Sequence, residues 1–164
     1  MKCVISPERT WTATDMVSIF LAGSIELGKA HDWQTEVKDR LQALDVLIFN
    51  PRRDDWDASW AQDISDDNFR GQVEWELDHL EQSDLILFYF DPMTKAPISL
   101  MELGLFSSSG KCIVCCPEGY WRRGNVQIVC ARYNIPFVDN MGQLLETLTS
   151  HISSRGHNKN RGLP

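Results

Sequence analysis

Six carboxylates in the middle of the chain, Asp54, Asp55, Glu74, Glu76, Asp91 and Glu102, are of a type and density that could do chemistry together. Acids gathered in one pocket suit proton transfer or covalent attack on an electrophilic carbon, because burial and neighbouring charge push their pKa values apart. Glu102 stands among Leu100, Met101, Leu103 and Leu105, where a carboxylate is costly unless it has a task. The same residues admit a plainer reading: Ser99-Leu100-Met101-Glu102 has the S-x-x-E form of a capping box, in which the Glu only bonds back to the helix start.

Other side chains extend the set. Gln72 and Glu76 are four apart in a helical pattern and share a face, so an amide and a carboxylate either grip the polar edge of a base or meet solvent. Arg52 and Arg53 follow a strand end, where they hold a phosphate or pair with Asp54 and Asp55. Trp56 and Trp60 either stack on a ligand ring or fold inward. His31 and His79 have no partner at catalytic spacing and read as structural. Neither G-x-G-x-x-G nor G-x-x-x-x-G-K-[ST] occurs, and no Cys/His zinc pattern is present, so no cofactor or metal is expected.

The elements that must position these groups alternate. The central one is residues 84–104, DLILFYFDPMTKAPISLMELG, an apolar strand closed by Asp91-Pro92 and followed by a helix from Pro97 to about residue 108. Upstream, residues 17–22 and 46–49 read as strands, with an amphipathic helix over 30–44 between them. Residues 57–68 read as a long loop and 69–82 as a helix. Downstream come a strand at 111–116, a short helix at 126–132, a strand at 135–138 and a last helix at 141–152.

Five strands alternating with helices predict an α/β three-layer sandwich around a five-stranded parallel sheet, with strand order 2-1-3-4-5. That order brings Gly23, Asn50, Asp91, Glu102 and Glu118 to one edge of the sheet, where open α/β proteins bind ligands. Residues 1–16 read as an N-terminal arm, 17–152 as the domain and 153–164 as a disordered tail.

A chain of 164 residues with 43% hydrophobic and 24% charged content fits one globular domain. A net charge of -7 argues against a nucleic-acid polymer as partner and leaves small molecules open. No apolar run approaches a membrane span. Five cysteines, an odd number with three in or beside one apolar strand, favour a reducing cytosol over a disulfide framework. Cys112 and Cys115 lie three apart in a strand pattern, pointing to opposite faces, which argues against a shared metal.

Taken in order, FLAGSI (20–25), DWQ (32–34), NPRR (50–53), QVEWEL (72–77), SD (83–84) and PISLMELG (97–104) resemble the nucleoside 2-deoxyribosyltransferase-like proteins. The similarity is closest to a branch marked by segments of the NPRR and PEGYWRRGNV type, the latter at 117–126. The resemblance implies a flavodoxin-like fold and cleavage of the N-glycosidic bond of a nucleoside or nucleotide. It implies Glu102 as nucleophile, forming a covalent glycosyl-enzyme, and Glu76 as the acid that protonates the departing base, with Asp91 as a further catalytic acid. Gly23, Ser24, Asn50, Arg52, Arg53, Asp54, Trp56, Gln72 and Asn125 become the expected substrate contacts, and a homodimer or larger assembly the expected state.

Two positions depart from the family pattern. Phe20 stands where transferases often carry a Tyr, and Ala96 where they carry an Asp, with Asp91 further upstream as the substitute on offer. These departures leave open hydrolysis of a nucleoside or its 5′-monophosphate, with Arg52 and Arg53 as phosphate clamp, and also a nucleotide-binding sensor without turnover.

Overall fold

The computed structural model describes residues 1–9, 15–26, 30–53, 57 and 59–159. Apolar runs flanked by turn residues form six strands, β1 (Lys2–Ile5), β2 (Val17–Gly23), β3 (Val46–Asn50), β4 (Leu85–Tyr89), β5 (Cys112–Cys115) and β6 (Phe137–Val138). Five helices fall between and after them: α1 (Trp33–Leu41), α2 (Asp67–Gln82), α3 (Pro97–Phe106), α4 (Arg123–Tyr133) and α5 (Met141–Lys159).

All pairings are parallel and the order is β1-β3-β2-β4-β5-β6. The five expected strands lie in the expected sequence, but the sheet has six. The added strand, β1, comes from the segment expected to be a loose arm: Lys2, Cys3, Val4 and Ile5 pair with residues 47–50 at the edge of the sheet. Only Val4 in it is buried, so its sequence carries almost none of the apolar patterning by which a strand is recognised. The last helix, expected to stop at Ile152, continues to Lys159.

Alternation along the strands builds two cores. Ile19, Leu21, Ile48, Leu87 and Ile113 point to one face, where Trp33, Val37 and Leu41 of α1 and Leu144 and Leu148 of α5 cover them. Phe20, Ala22, Phe49, Phe88 and Val114 point to the other, against Trp75 and Leu80 of α2, Leu103 and Phe106 of α3 and Val126 of α4. Cys112 falls in the second core and Cys115 in the first, as three-residue spacing on a strand requires. Among the described residues no group of His, Cys, Asp and Glu is arranged to hold a metal ion, and no helix is long and apolar enough to cross a membrane.

The carboxyl ends of β2 and β4 approach closely. Gly23 has φ +136° and a Cβ there would overlap the carbonyl oxygen of Tyr89, so this position needs glycine. The consequence is local: the loops leaving β2 and β4 run side by side over the edge of the sheet.

Candidate active site

Glu102 lies on α3, and the way that helix starts decides what it can do. Ala96 is the N-cap, in the left-handed region at φ 42°, without a side-chain cap, and Pro97 is the first helical residue. Ser99 is therefore already inside the helix, so the capping-box reading fails: Glu102 lies six residues past the cap, where the motif requires three. Glu102 is buried, and among the described residues it has no hydrogen-bonded partner. Loss of water, and then the charge of Glu76, push its pKa up to about 8.

Glu76 faces it from α2. Burial raises this carboxyl to about 7, opposed by one hydrogen bond from Gln72 Nε2 at 2.8 Å. The helix is well founded: Asp66 accepts from the amides of Asn68 and Phe69 at its start, and Trp75 and Leu80 bury its inner face. Two acids both raised by burial, one of them further by the charge of the other, are the arrangement by which proteins divide acid and base roles between like groups.

Gln72 holds Glu76 in place. Its Oε1 accepts from Ser6 Oγ and from Arg53 Nη1, and its Nε2 donates to the Pro51 carbonyl as well as to Glu76. All its hydrogen-bonding capacity is thus used within the protein, and the expected grip of Gln72 on a base is replaced by a grip on Glu76. Ser6 was invisible to sequence reasoning because it sits in the segment read as an arm.

Asp91 is buried to the same degree, but its oxygens are committed: Oδ2 accepts from the amide of His31 and Oδ1 from that of Met93. It ties the two edge loops together. Ser24 works with it, its Oγ accepting from the Asp91 amide and from Thr94 Oγ1. Asn50 shapes the turn after β3 by accepting from the Arg52 amide.

The arginines are engaged as well. Arg52 reaches across to the start of α1, with Nη1 at 3.3 Å from Gln34 Oε1, 3.4 Å from the His31 carbonyl and 3.8 Å from Asp32. The expected partners Asp54 and Asp55 lie outside the described residues, as does Trp56. Arg53 bonds Gln72, and its guanidinium sits 5.2 Å from the ring centre of Trp60.

Glu118 is exposed in the turn after β5, and Asn125 is exposed on α4. Asn125 lines a groove of about 330 Å³ between α3 and α4, together with Leu100, Leu103 and Trp121. Glu76 and Glu102 are not in its wall, so the structure brings Asn125 to the neighbouring groove rather than to the carboxylate pair. A smaller cavity of about 160 Å³, bounded by Lys111, Tyr133 and His151, lies at the opposite edge of the sheet, far from this chemistry.

One contact had no precursor in the sequence reading. Glu26, in the loop after β2, accepts with Oε1 from the amides of both Lys95 and Ala96, the pair that opens α3. The Lys95 carbonyl accepts in turn from Tyr120 Oη and Trp121 Nε1. A Glu with no neighbouring pattern gives no indication of this role; only the closeness of the two loops creates it.

A family model described as "Nucleoside 2-deoxyribosyltransferase like" matches residues 16–120. No curated protein matches the sequence. Among solved structures the chain is similar to one titled "Crystal structure of conserved protein from Enterococcus faecalis V583", with a TM-score of 0.58, 14% identity, and coverage of 85% of this chain and 99% of that one. At this identity the likeness concerns the fold.

Proposed function

Because the chain belongs to the nucleoside 2-deoxyribosyltransferase-like family, we propose that its facing carboxylates cleave the N-glycosidic bond of a (deoxy)nucleoside and pass the sugar to another base. The observation that carries this reading is Glu102: buried, one and a half turns into α3, without a hydrogen-bonded partner among the described residues, and opposite Glu76. A buried acid with no structural task and a raised pKa is the profile of a reacting group.

With Glu76 at about 7 and Glu102 at about 8, the pair shares one proton at neutral pH. A bound nucleoside sorts that proton. The base nitrogen favours it on Glu76, where it can be donated, while positive charge growing at the anomeric carbon favours ionised Glu102. A Glu102 oxygen then bonds to the anomeric carbon as the carbon–nitrogen bond breaks, its electron pair leaving with the base and the Glu76 proton following. The product is a glycosyl ester on Glu102. A nitrogen of an incoming base attacks the same carbon, the ester bond returns its electrons to Glu102, and Glu76 takes the surplus N–H proton. Water as acceptor would give hydrolysis by the same steps.

Gln72, Ser6 and Arg53 position Glu76, while Asp91, Ser24 and Asn50 hold the loops at the site's rim. Asp91 thus serves the site as scaffold, and the proton work falls to Glu76. The outward face of α3 carries Ile98, Met101 and Leu105, each more than half exposed, on a helix apolar all round. That favours a homodimer or larger assembly in which this face is covered.

Incubation with a 2′-deoxynucleoside and a second free base, both bases followed by chromatography, tests the function. Base exchange is the expected result. Release of free base without exchange would mean a hydrolase, and saturable binding without product would leave only a sensor.

A further inference from the structure

The amino edge of the sheet, opposite the carboxylate pair, holds the cavity of about 160 Å³ where β4, β5 and β6 begin. Leu85, Ile135 and Pro136 give it an apolar back, and Lys111, His151 and the Gly110 backbone a polar side. Arg155, one turn beyond His151 on α5, reaches the same place through a hydrogen bond of 3.1 Å from Nη2 to the Gly110 carbonyl. Three basic side chains thus gather around one small space in a chain whose net charge is -7. No carboxylate lines it. Among the described residues none of the three basic groups is in an ion pair, and Asp84, which precedes Leu85, accepts from the amide and hydroxyl of Ser18 instead.

Helix carbonyls account for only part of this charge. The chain leaves α2 and α3 at this edge, and the carbonyl groups there take one hydrogen from each cation: Lys111 Nζ donates to the Glu81 carbonyl at 2.6 Å, and Arg155 to that of Gly110. An ammonium has three N–H donors and a guanidinium five, so most of both sets stay without a protein acceptor among the described residues. His151 adds the opposite function. Its Nδ1 lies 2.9 Å from the Thr147 carbonyl, which can only accept, so this nitrogen carries the hydrogen and Nε2 of the neutral ring is an acceptor.

A matching ligand therefore brings several negatively charged oxygens and one hydroxyl. Its size is bounded as well: 160 Å³ suits a tetrahedral oxyanion with a little water and is about half the lower limit, roughly 300 Å³, of sites for drug-sized molecules. We propose that this cavity binds a small tetrahedral oxyanion that keeps one proton, as hydrogen phosphate does, with Lys111 and Arg155 donating to its oxygens and His151 Nε2 accepting from its hydroxyl. The apolar back keeps the local dielectric low, which strengthens the charged hydrogen bonds. Sulfate has the same shape and charge but no hydroxyl, so it leaves the His151 acceptor unanswered. The site is separate from the chemistry at Glu102, and neither reading depends on the other.

The test titrates the full chain with inorganic phosphate and with sulfate by calorimetry at pH 8.0 and constant ionic strength, and follows the histidine rings by long-range proton–nitrogen NMR. Phosphate is expected to saturate with a dissociation constant of about 1 mM or below. It should shift Nε2 of His151 while leaving His31 and His79 unmoved, and should bind at least about tenfold more tightly than sulfate. Lys111→Met and His151→Phe should each weaken phosphate binding by about tenfold or more. Failure to saturate by about 20 mM phosphate, a His151 signal that does not move, or equal affinity for the two anions overturns the proposal. Wild-type affinity in both variants, with circular dichroism spectra unchanged, overturns it too. Should a variant fail to fold, the His151 shift and the ratio of the two anions in the wild type decide.

Discussion

Asp91 and Glu102 stand at the two ends of one connection and are equally buried, at 6% and 7% exposed, yet they live in opposite chemical surroundings. At the loop end, two backbone amides satisfy Asp91 and make it a brace between β2 and β4. At the helix end, Glu102 meets apolar side chains and the charge of a second acid. Burial alone therefore says little about function. What distinguishes a reacting carboxylate from a structural one is whether the fold has answered its hydrogen-bonding demand.

The sharpest way to break this comparison is to neutralise the unanswered acid. Glu102→Gln should lower turnover by at least about a thousandfold, since an amide cannot form the glycosyl ester, with thermal stability at pH 7.5 unchanged or slightly raised. Activity near the wild-type level would remove the mechanism. Glu76→Gln should cost about a hundredfold or more and should also alter the shape of the pH profile. In the wild type kcat/KM should describe a narrow bell with limbs near 7 and 8, because the active state holds one proton between two acids. Without Glu76 the residual rate should lose the alkaline limb. Its remaining acid limb, now set by Glu102 alone, should lie below the value of about 8 that Glu102 has beside Glu76, because the charge that helps raise it is gone.

The brace should respond differently. Asp91→Asn keeps one acceptor but turns an NH2 group towards a backbone amide that needs one, at a cost of about 1–3 kcal/mol of stability. Turnover should stay within about tenfold of wild type when assayed well below the midpoint of unfolding. A thousandfold loss with stability intact would place Asp91 in the chemistry and erase the distinction drawn between the two ends.

The residues of the helix end were legible in the sequence and those of the loop end largely were not, for a physical reason. Glu102 among leucines and Gln72 four residues before Glu76 are local patterns, which periodicity reveals. The parallel sheet was equally open to reading, since β2, β4 and β5 are short apolar runs between turn residues. The edge strand β1 buries only Val4 and gains its place through backbone pairing with β3, which leaves no pattern in side chains. Glu26 and Ser6 act through contacts to Lys95, Ala96 and Gln72, more than sixty residues away in the chain. The plainer reading that the S-x-x-E form also allowed fails because the helix begins at Pro97, with an Ala rather than the Ser as its cap.

The smallest expected effect concerns stability rather than rate. Both acids have folded-state pKa values raised above the ordinary carboxyl value of 4.5, to about 7 and about 8. Between 4.5 and these values the folded chain binds more protons than the unfolded one, so stability from this pair is greatest on the acid side and falls as pH rises. Asp32 runs the other way: hydrogen bonds from Thr35, aided by Arg52, outweigh its partial burial and lower its pKa, so its contribution is lost only on acidification below the ordinary range. The pair is isolated by difference. On going from pH 5.5 to pH 8.5 the wild type should lose roughly 3 °C or more of melting temperature relative to a Glu76→Gln, Glu102→Gln double variant, followed by calorimetry in matched salt. Parallel curves for the two proteins would mean that water or an unseen partner solvates these carboxylates in the folded chain. Glu102 would then be as well answered as Asp91, and the contrast between the two ends would not hold.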